Sequence, residues 1–86
     1  FTEKVTFVEN IYPNPTDDRL SIRIKPGLEI VELYFIDFSG KFIKPKSVDR
    51  SGDNLDINVS NLNEGIYILE IVSDKEVDKV KVVIER

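Results

Sequence analysis

The hydroxyls of Ser21, Ser39, Ser47, Ser51, Ser60 and Ser73 are the candidates for covalent catalysis, and each would need a base within hydrogen-bond reach. Histidine is absent, and no spacing positions a lysine to serve instead. Cysteine, methionine and tryptophan are absent as well, which removes zinc–imidazole and thiolate sites, thiol nucleophiles, disulfides and haem ligation together. No catalytic residue and no cofactor are therefore expected.

Three weaker patterns remain. Asp49, Ser51, Asp53, Asn54 and Asp56 make residues 49–56 rich in oxygen donors, as a calcium loop would be. Its glycine is misplaced and the bidentate glutamate of an EF-hand is missing, so a solvated turn is the expectation and no metal site is assigned. Asn58-Val59-Ser60 matches the glycosylation sequon but lies in or beside a strand, and three-residue matches are common by chance. Among the aromatic residues, Tyr34, Phe38 and Phe42 cluster around one turn and could form a contact patch.

The bulk properties narrow the partners. Twelve basic against sixteen acidic residues leave a net charge of −4, so bulk charge offers no attraction to nucleic acid or anionic lipid. Apolar runs such as Ile66–Leu69 fall far short of the roughly 20 residues of a spanning helix, so no membrane insertion is expected. Eighty-six residues suit one domain. Phe1 in place of a starting methionine points to a piece of a longer protein, with any secretion signal lying upstream.

The elements follow from period-two alternation broken by turn residues. Val5 and Phe7 open a first run that ends at Tyr12-Pro13-Asn14-Pro15, where two prolines remove ladder donors. Leu20, Ile22 and Ile24 alternate with polar residues. Ile30 to Phe38 is apolar on both faces, with Val31, Leu33 and Phe35 on one side and Tyr34, Ile36 and Phe38 on the other. That pattern predicts a central strand, or one whose outer face is covered by a loop or partner. Ser39-Gly40 suggests a two-residue hairpin into a weak edge run at Phe42 and Ile43. Residues 49–54 read as a polar loop, and Leu55, Ile57 and Val59 as the next strand. Leu62 is expected to plug the end of the fold within the corner 60–65. Tyr67, Leu69 and Ile71, then Val80, Val82 and Ile84, mark the last two strands. The sum predicts an all-β, immunoglobulin-like antiparallel two-sheet sandwich of about seven strands.

The order of five sequence marks adds a resemblance. Tyr12-Pro13-Asn14-Pro15, Leu20-x-Ile22-x-Ile24, Ile36-Asp37-Phe38-Ser39-Gly40-Lys41, Val59-Ser60-Asn61-Leu62-Asn63-Glu64-Gly65-Ile66-Tyr67 and Lys81-Val82-Val83-Ile84 follow one another over most of the chain. Together they resemble the type A C-terminal sorting domain of the type IX (Por) secretion system of Bacteroidetes-type bacteria.

The resemblance implies a non-catalytic address on an upstream cargo protein. The cargo would cross the periplasm, be delivered by an outer-membrane translocon that reads the domain, and reach the cell surface or the exterior. A sortase-like peptidase would then remove the domain. The matching motif positions are Pro13, Asn14, Pro15, Gly40, Leu62, Gly65 and Tyr67, and export information concentrates in the terminal segment, here Lys79, Lys81, Val82, Val83 and Ile84. Residues 1–86 would form one sorting domain, with 1–10 as first strand and linker from the cargo and 11–86 as the motif region. A strand-exchanged dimer of the isolated piece is possible through an unpaired edge. The competing reading is a carbohydrate-binding or adhesive module retained on an extracellular enzyme, which an exposed platform of Tyr34, Phe38 and Phe42 would favour.

Overall fold

The computed structural model describes residues 5–86, and among them eight strands form two antiparallel sheets. In chain order these are β1 (Val8–Tyr12), β2 (Arg19–Ile24), β3 (Ile30–Ile36), β4 (Phe42–Ile43), β5 (Ser47–Ser51), β6 (Asn54–Asn58), β7 (Gly65–Ser73) and β8 (Val77–Ile84). One sheet has the order β1-β2-β6-β5, the other β4-β3-β7-β8. Each sheet can leave one face wet because its antiparallel pairing needs no covering helix.

Alternation sets the inner faces. Leu20, Ile22 and Ile24 from β2, Leu55 and Ile57 from β6, Tyr67, Leu69 and Ile71 from β7, and Val80, Val82 and Ile84 from β8 are all buried in one continuous core. Phe35 lies at its centre, fully buried, with the Tyr67 ring edge-on at 6.1 Å and 86°. That geometry sets the positive edge of one ring against the negative face of the other.

Four expectations need correction. The predicted polar loop over 49–54 is instead largely an edge strand, β5, whose residues are all exposed, followed by a tight turn at Gly52. Its side chains make no contribution to the buried core, so no alternation betrays it, and it raises the strand count to eight. The first strand begins at Val8 rather than Val5. Phe7 is buried from a bend before the strand, while Val5 is exposed; Phe1 and the rest of 1–4 lie outside the described residues. In β3 an irregularity between Ile30 and Glu32 shifts the register, so Val31 turns out to solvent while Leu33 and Phe35 stay inside. Finally, the β3–β4 turn spans residues 37–41, closed by Asp37 N–H to the Lys41 carbonyl and Gly40 N–H to the Asp37 carbonyl, both at 3.0 Å. It is longer than the two-residue hairpin expected at Ser39-Gly40.

The two sheets are stitched together along the β1/β8 side. Asp78 occupies an inward register position of β8 and is fully buried. Its carboxylate accepts N–H bonds from Thr6, Phe7 and Val8 at 2.8–2.9 Å, and a short bond from the Thr6 hydroxyl. Burial is the largest single influence and pushes the carboxyl up. The Thr6 hydroxyl and the N–H groups of Val8, Phe7 and Thr6 together outweigh it and hold Asp78 below its ordinary value.

A carboxyl held lower in the folded than in the unfolded chain stabilises the fold above the unfolded value of about 3.9, and that stabilisation disappears as pH falls through the folded value. Urea unfolding of the wild type should therefore become easier as pH drops below about 4. Asp78→Asn should cost about 1.5–3 kcal/mol at neutral pH and show a shallower acid slope. Equal slopes in the two proteins would remove Asp78 from the acid response.

Candidate functional site

The terminal strand is an edge of the second sheet, paired with β7 on one side only. Its strict alternation divides the predicted residues into two groups. Val82 and Ile84 are buried in the core, whereas Lys79 and Lys81 are exposed and Val83 is half-buried on the outer face. Lys79 pairs with Glu70 across the β7–β8 ladder at 3.5 Å. Lys81 stands opposite Ile68, and Val83 opposite the exposed Ile66.

The outer backbone of β8 is not bare. The Asn14 side-chain amide donates to the Lys81 carbonyl and accepts from Val83 N–H, both at 3.0 Å. Thr16 continues the pairing: its N–H donates to the Val83 carbonyl at 2.9 Å and its carbonyl accepts from Glu85 N–H at 2.8 Å. Thr16 and Ile84 form an isolated parallel bridge. The Pro13-Asn14-Pro15 segment, whose X–Pro bonds are both cis, thus lies along the terminal strand. Thr16 is buried, and its hydroxyl donates to the Arg19 carbonyl, which fixes the turn into β2.

Arg86 closes the far end. Its guanidinium bonds the Leu62 and Val59 carbonyls and, at 3.0 Å, the Asp18 carboxylate, while its N–H donates to Glu64 at 2.8 Å. The corner it grips contains three of the predicted motif positions. Leu62 is buried at the end of the core, and its N–H closes a turn onto the Val59 carbonyl at 2.9 Å. Gly65 has φ +154°, a region nearly closed to residues with a Cβ, and an added Cβ would meet only the Tyr67 ring at 3.8 Å. The Tyr67 hydroxyl donates to the Asn63 carbonyl at 2.7 Å, a tyrosine corner. Burial, then the nearby Asp37 charge, raise the Tyr67 hydroxyl, so it stays a donor.

Gly40, with φ +87°, lies in the 37–41 turn, distant in sequence from the terminal strand. The Asp37 carboxylate organises that turn by accepting from Ser39 N–H, Ser39 hydroxyl and Lys41 N–H at 2.7–2.9 Å. The Ser39 hydroxyl first, then Lys41 N–H, hold Asp37 below its ordinary value. The turn presents Phe38 at 97% exposure, and Phe42 stacks on Tyr34 at 4.9 Å and 25°. On the opposite sheet Asp49 and Asp56 are cross-strand partners, Asp56 also accepts from Ser21, and no acidic group of metal-binding size forms among the described residues.

The structure therefore brings Asn14, held between Pro13 and Pro15, against Lys81 and Val83, and Gly65, Leu62 and Tyr67 against the end of the same strand. The sequence model of the secretion system C-terminal sorting domain matches residues 10–85. The chain belongs to that family. Comparison with curated proteins and with solved structures gave no match. The match identifies a type IX secretion sorting signal, a class of domain that is in general non-catalytic and that directs export toward the cell surface or exterior.

Sequence reading of the sorting domain missed Asp78, Thr16 and Arg86. One signal was available: Asp78 is in phase with Val80, Val82 and Ile84, and an acid on the apolar face of an alternating strand must find donors. Thr16 and Arg86 gave no such sign, since their partners lie far off in the sequence.

The corner yields a graded stability series. Tyr67→Ala should cost about 3–5 kcal/mol, near the stability of a small domain, while Tyr67→Phe should cost about 1 kcal/mol for the lost Asn63 bond. Gly65→Ala should cost about 1–3 kcal/mol through backbone strain. Denaturant midpoints at constant slope check the ranking, and a Tyr67→Phe loss as large as that of Tyr67→Ala would show that the hydroxyl, not the ring, holds the corner.

Proposed function

We propose that residues 1–86 act as one detachable export address for a cargo protein joined on the N-terminal side. The family match over residues 10–85 carries this reading. An outer-membrane translocon recognises the terminal strand from its outer face, where Lys79, Lys81 and Val83 point away from the core. Val82 and Ile84 contribute from beneath, by anchoring that strand to the core. Two lysines followed by an apolar residue on the outer face of a sheet edge suit recognition by strand addition, with backbone bonds supplying affinity and outward side chains supplying specificity. The cargo passes through the periplasm, and after export a sortase-like peptidase separates it from the domain, leaving it surface-attached or released. No catalytic step is assigned to any residue of the domain.

A second reading draws on the aromatic group. Phe38 and Phe42 are exposed, and Tyr34 stacks on Phe42. A carbohydrate-binding or adhesive module would use such rings as a platform. Binding of a glycan array by the isolated domain, abolished by Phe42→Ala, would favour it over the sorting reading.

The direct test fuses residues 1–86 to a fluorescent protein carrying a Sec signal, in a host that possesses the type IX system. Surface or extracellular fluorescence is expected from the wild type. Lys81→Ala should reduce it at least tenfold while leaving the thermal unfolding curve nearly unchanged. Normal export of Lys81→Ala would end the claim that this lysine is read, and retention of the wild-type fusion in the periplasm would end the sorting assignment itself.

A further inference from the structure

The C-terminal half of the β8 edge is already occupied. In β8 the outward backbone groups belong to the odd-numbered residues, and the Lys81 carbonyl, both groups of Val83 and the Glu85 N–H are all engaged by Asn14 and Thr16. The Asn14 primary amide does here what a peptide group of a neighbouring strand would do: it offers one donor and one acceptor, spaced to meet one carbonyl and one N–H of the edge. Thr16 supplies the next donor and acceptor from its own backbone. Pro13 and Pro15 have no N–H, so the segment ends the sheet instead of offering a new edge to the next chain.

This occupant is tied to the core at one residue. Pro13, Asn14 and Pro15 are exposed, and within 13–16 only Thr16 is buried. The strand beneath it is held from the other side by β7 and by the buried Val80, Val82 and Ile84. Lifting 13–16 therefore uncovers polar backbone and breaks none of the pairing of β8 with β7, so the sandwich can stay folded as it happens.

We propose that residues 13–16 are a displaceable cap over a strand-acceptor site made of the outward backbone of Lys81, Val83 and Glu85, and that the occupant replacing the cap is an extended segment of the secretion machinery. This rests on the sorting reading for the identity of the partner, but not for the existence of the cap. Recognition is then an exchange, in which an incoming strand substitutes its own backbone bonds for those of Asn14 and Thr16. The closed cap keeps the edge from pairing with other copies of the domain before delivery.

Two measurements test it. Amide hydrogen exchange on the isolated domain separates the two sides of β8, because Val83 and Glu85 N–H depend on the cap whereas Val82 and Ile84 N–H face β7. Val83 and Glu85 should exchange at least tenfold faster than Val82 and Ile84, and Asn14→Ala should accelerate Val83 further without changing Val82. Equal protection on the two sides would mean that the cap opens only with global unfolding, and would overturn the proposal. Protection of Val83 restored by dimerisation of Asn14→Ala would make a second copy the strand that fits the site, and would overturn the assignment to the machinery.

The second measurement locks the cap in the fluorescent fusion, exploiting the absence of native cysteine. Thr16→Cys and Ile84→Cys, paired across the parallel bridge, should form a disulfide that blocks export, and reducing that disulfide in the same double variant should restore it. Export of the locked double variant at the wild-type level would show that the cap need not move. Failure of the unmodified fusion to leave the cell would count against the sorting reading alone, since the exchange experiment judges the cap independently.

Discussion

An edge strand must satisfy its outward backbone or leave it open to other chains, and this requirement organises the whole β1/β8 side of the molecule. β8 is the last strand of its sheet, with β7 on one flank only. Three separate contacts join this side to the other sheet: the Asp78 carboxylate gathers the backbone leading into β1, Asn14 and Thr16 cover the outward backbone of residues 81–85, and the Arg86 side chain ties the end to the Val59–Leu62 corner. Each joins residues 24 to 72 positions apart in the chain. A sandwich of 86 residues with no disulfide has a small core, so such polar stitches between its sheets carry a large share of its uniqueness.

Much of this fold was legible because burial on one face forces alternation on the sequence. β2, β6, β7 and β8 all read correctly from that signal, down to which of Lys79, Lys81, Val82, Val83 and Ile84 point inward. Where a strand buries nothing the signal vanishes. Ser47–Ser51 pairs along its full length with β6 yet is exposed at every position, so its sequence is indistinguishable from a loop. Val31 failed for the opposite reason: the residue type fits a core position, but a register irregularity turns it out. The unusual backbone of Gly40 and Gly65 and the burial of Tyr67 were legible because φ restrictions and strand alternation are local. The cap and the Arg86 clamp were illegible because hydrogen bonds between distant polar groups leave no periodic trace.

The outer faces of the two sheets differ in character. On the first, Arg19, Ser21, Arg23, Asp56 and Asn58 make a polar surface crossed by the Ser21–Asp56 bond. On the second, Phe42, Ile36, Ile68 and Lys81 follow one another across four strands, with Ile66 and Val83 as the neighbouring pair. The double-sided apolarity of β3 comes from this second face, where Tyr34 and Ile36 are half-buried by their neighbours rather than by a covering layer. Lys81 and Val83 stand at the margin of that apolar strip, so any partner reaching the rim of β8 also meets hydrophobic surface.

The span between Thr6 and Asp78 sets an order of assembly. Until Asp78 has been delivered, the N–H groups of Thr6, Phe7 and Val8 lack their acceptor, and the Asn14 amide lacks its partners on β8. Chain closure over more than seventy positions is slow relative to formation of a neighbouring hairpin such as β7–β8. A chain emerging from its N-terminal side can assemble hairpins early, but its flank stays ajar through most of synthesis. The finished outline of the molecule is thus itself a record that translation has passed through the final strand.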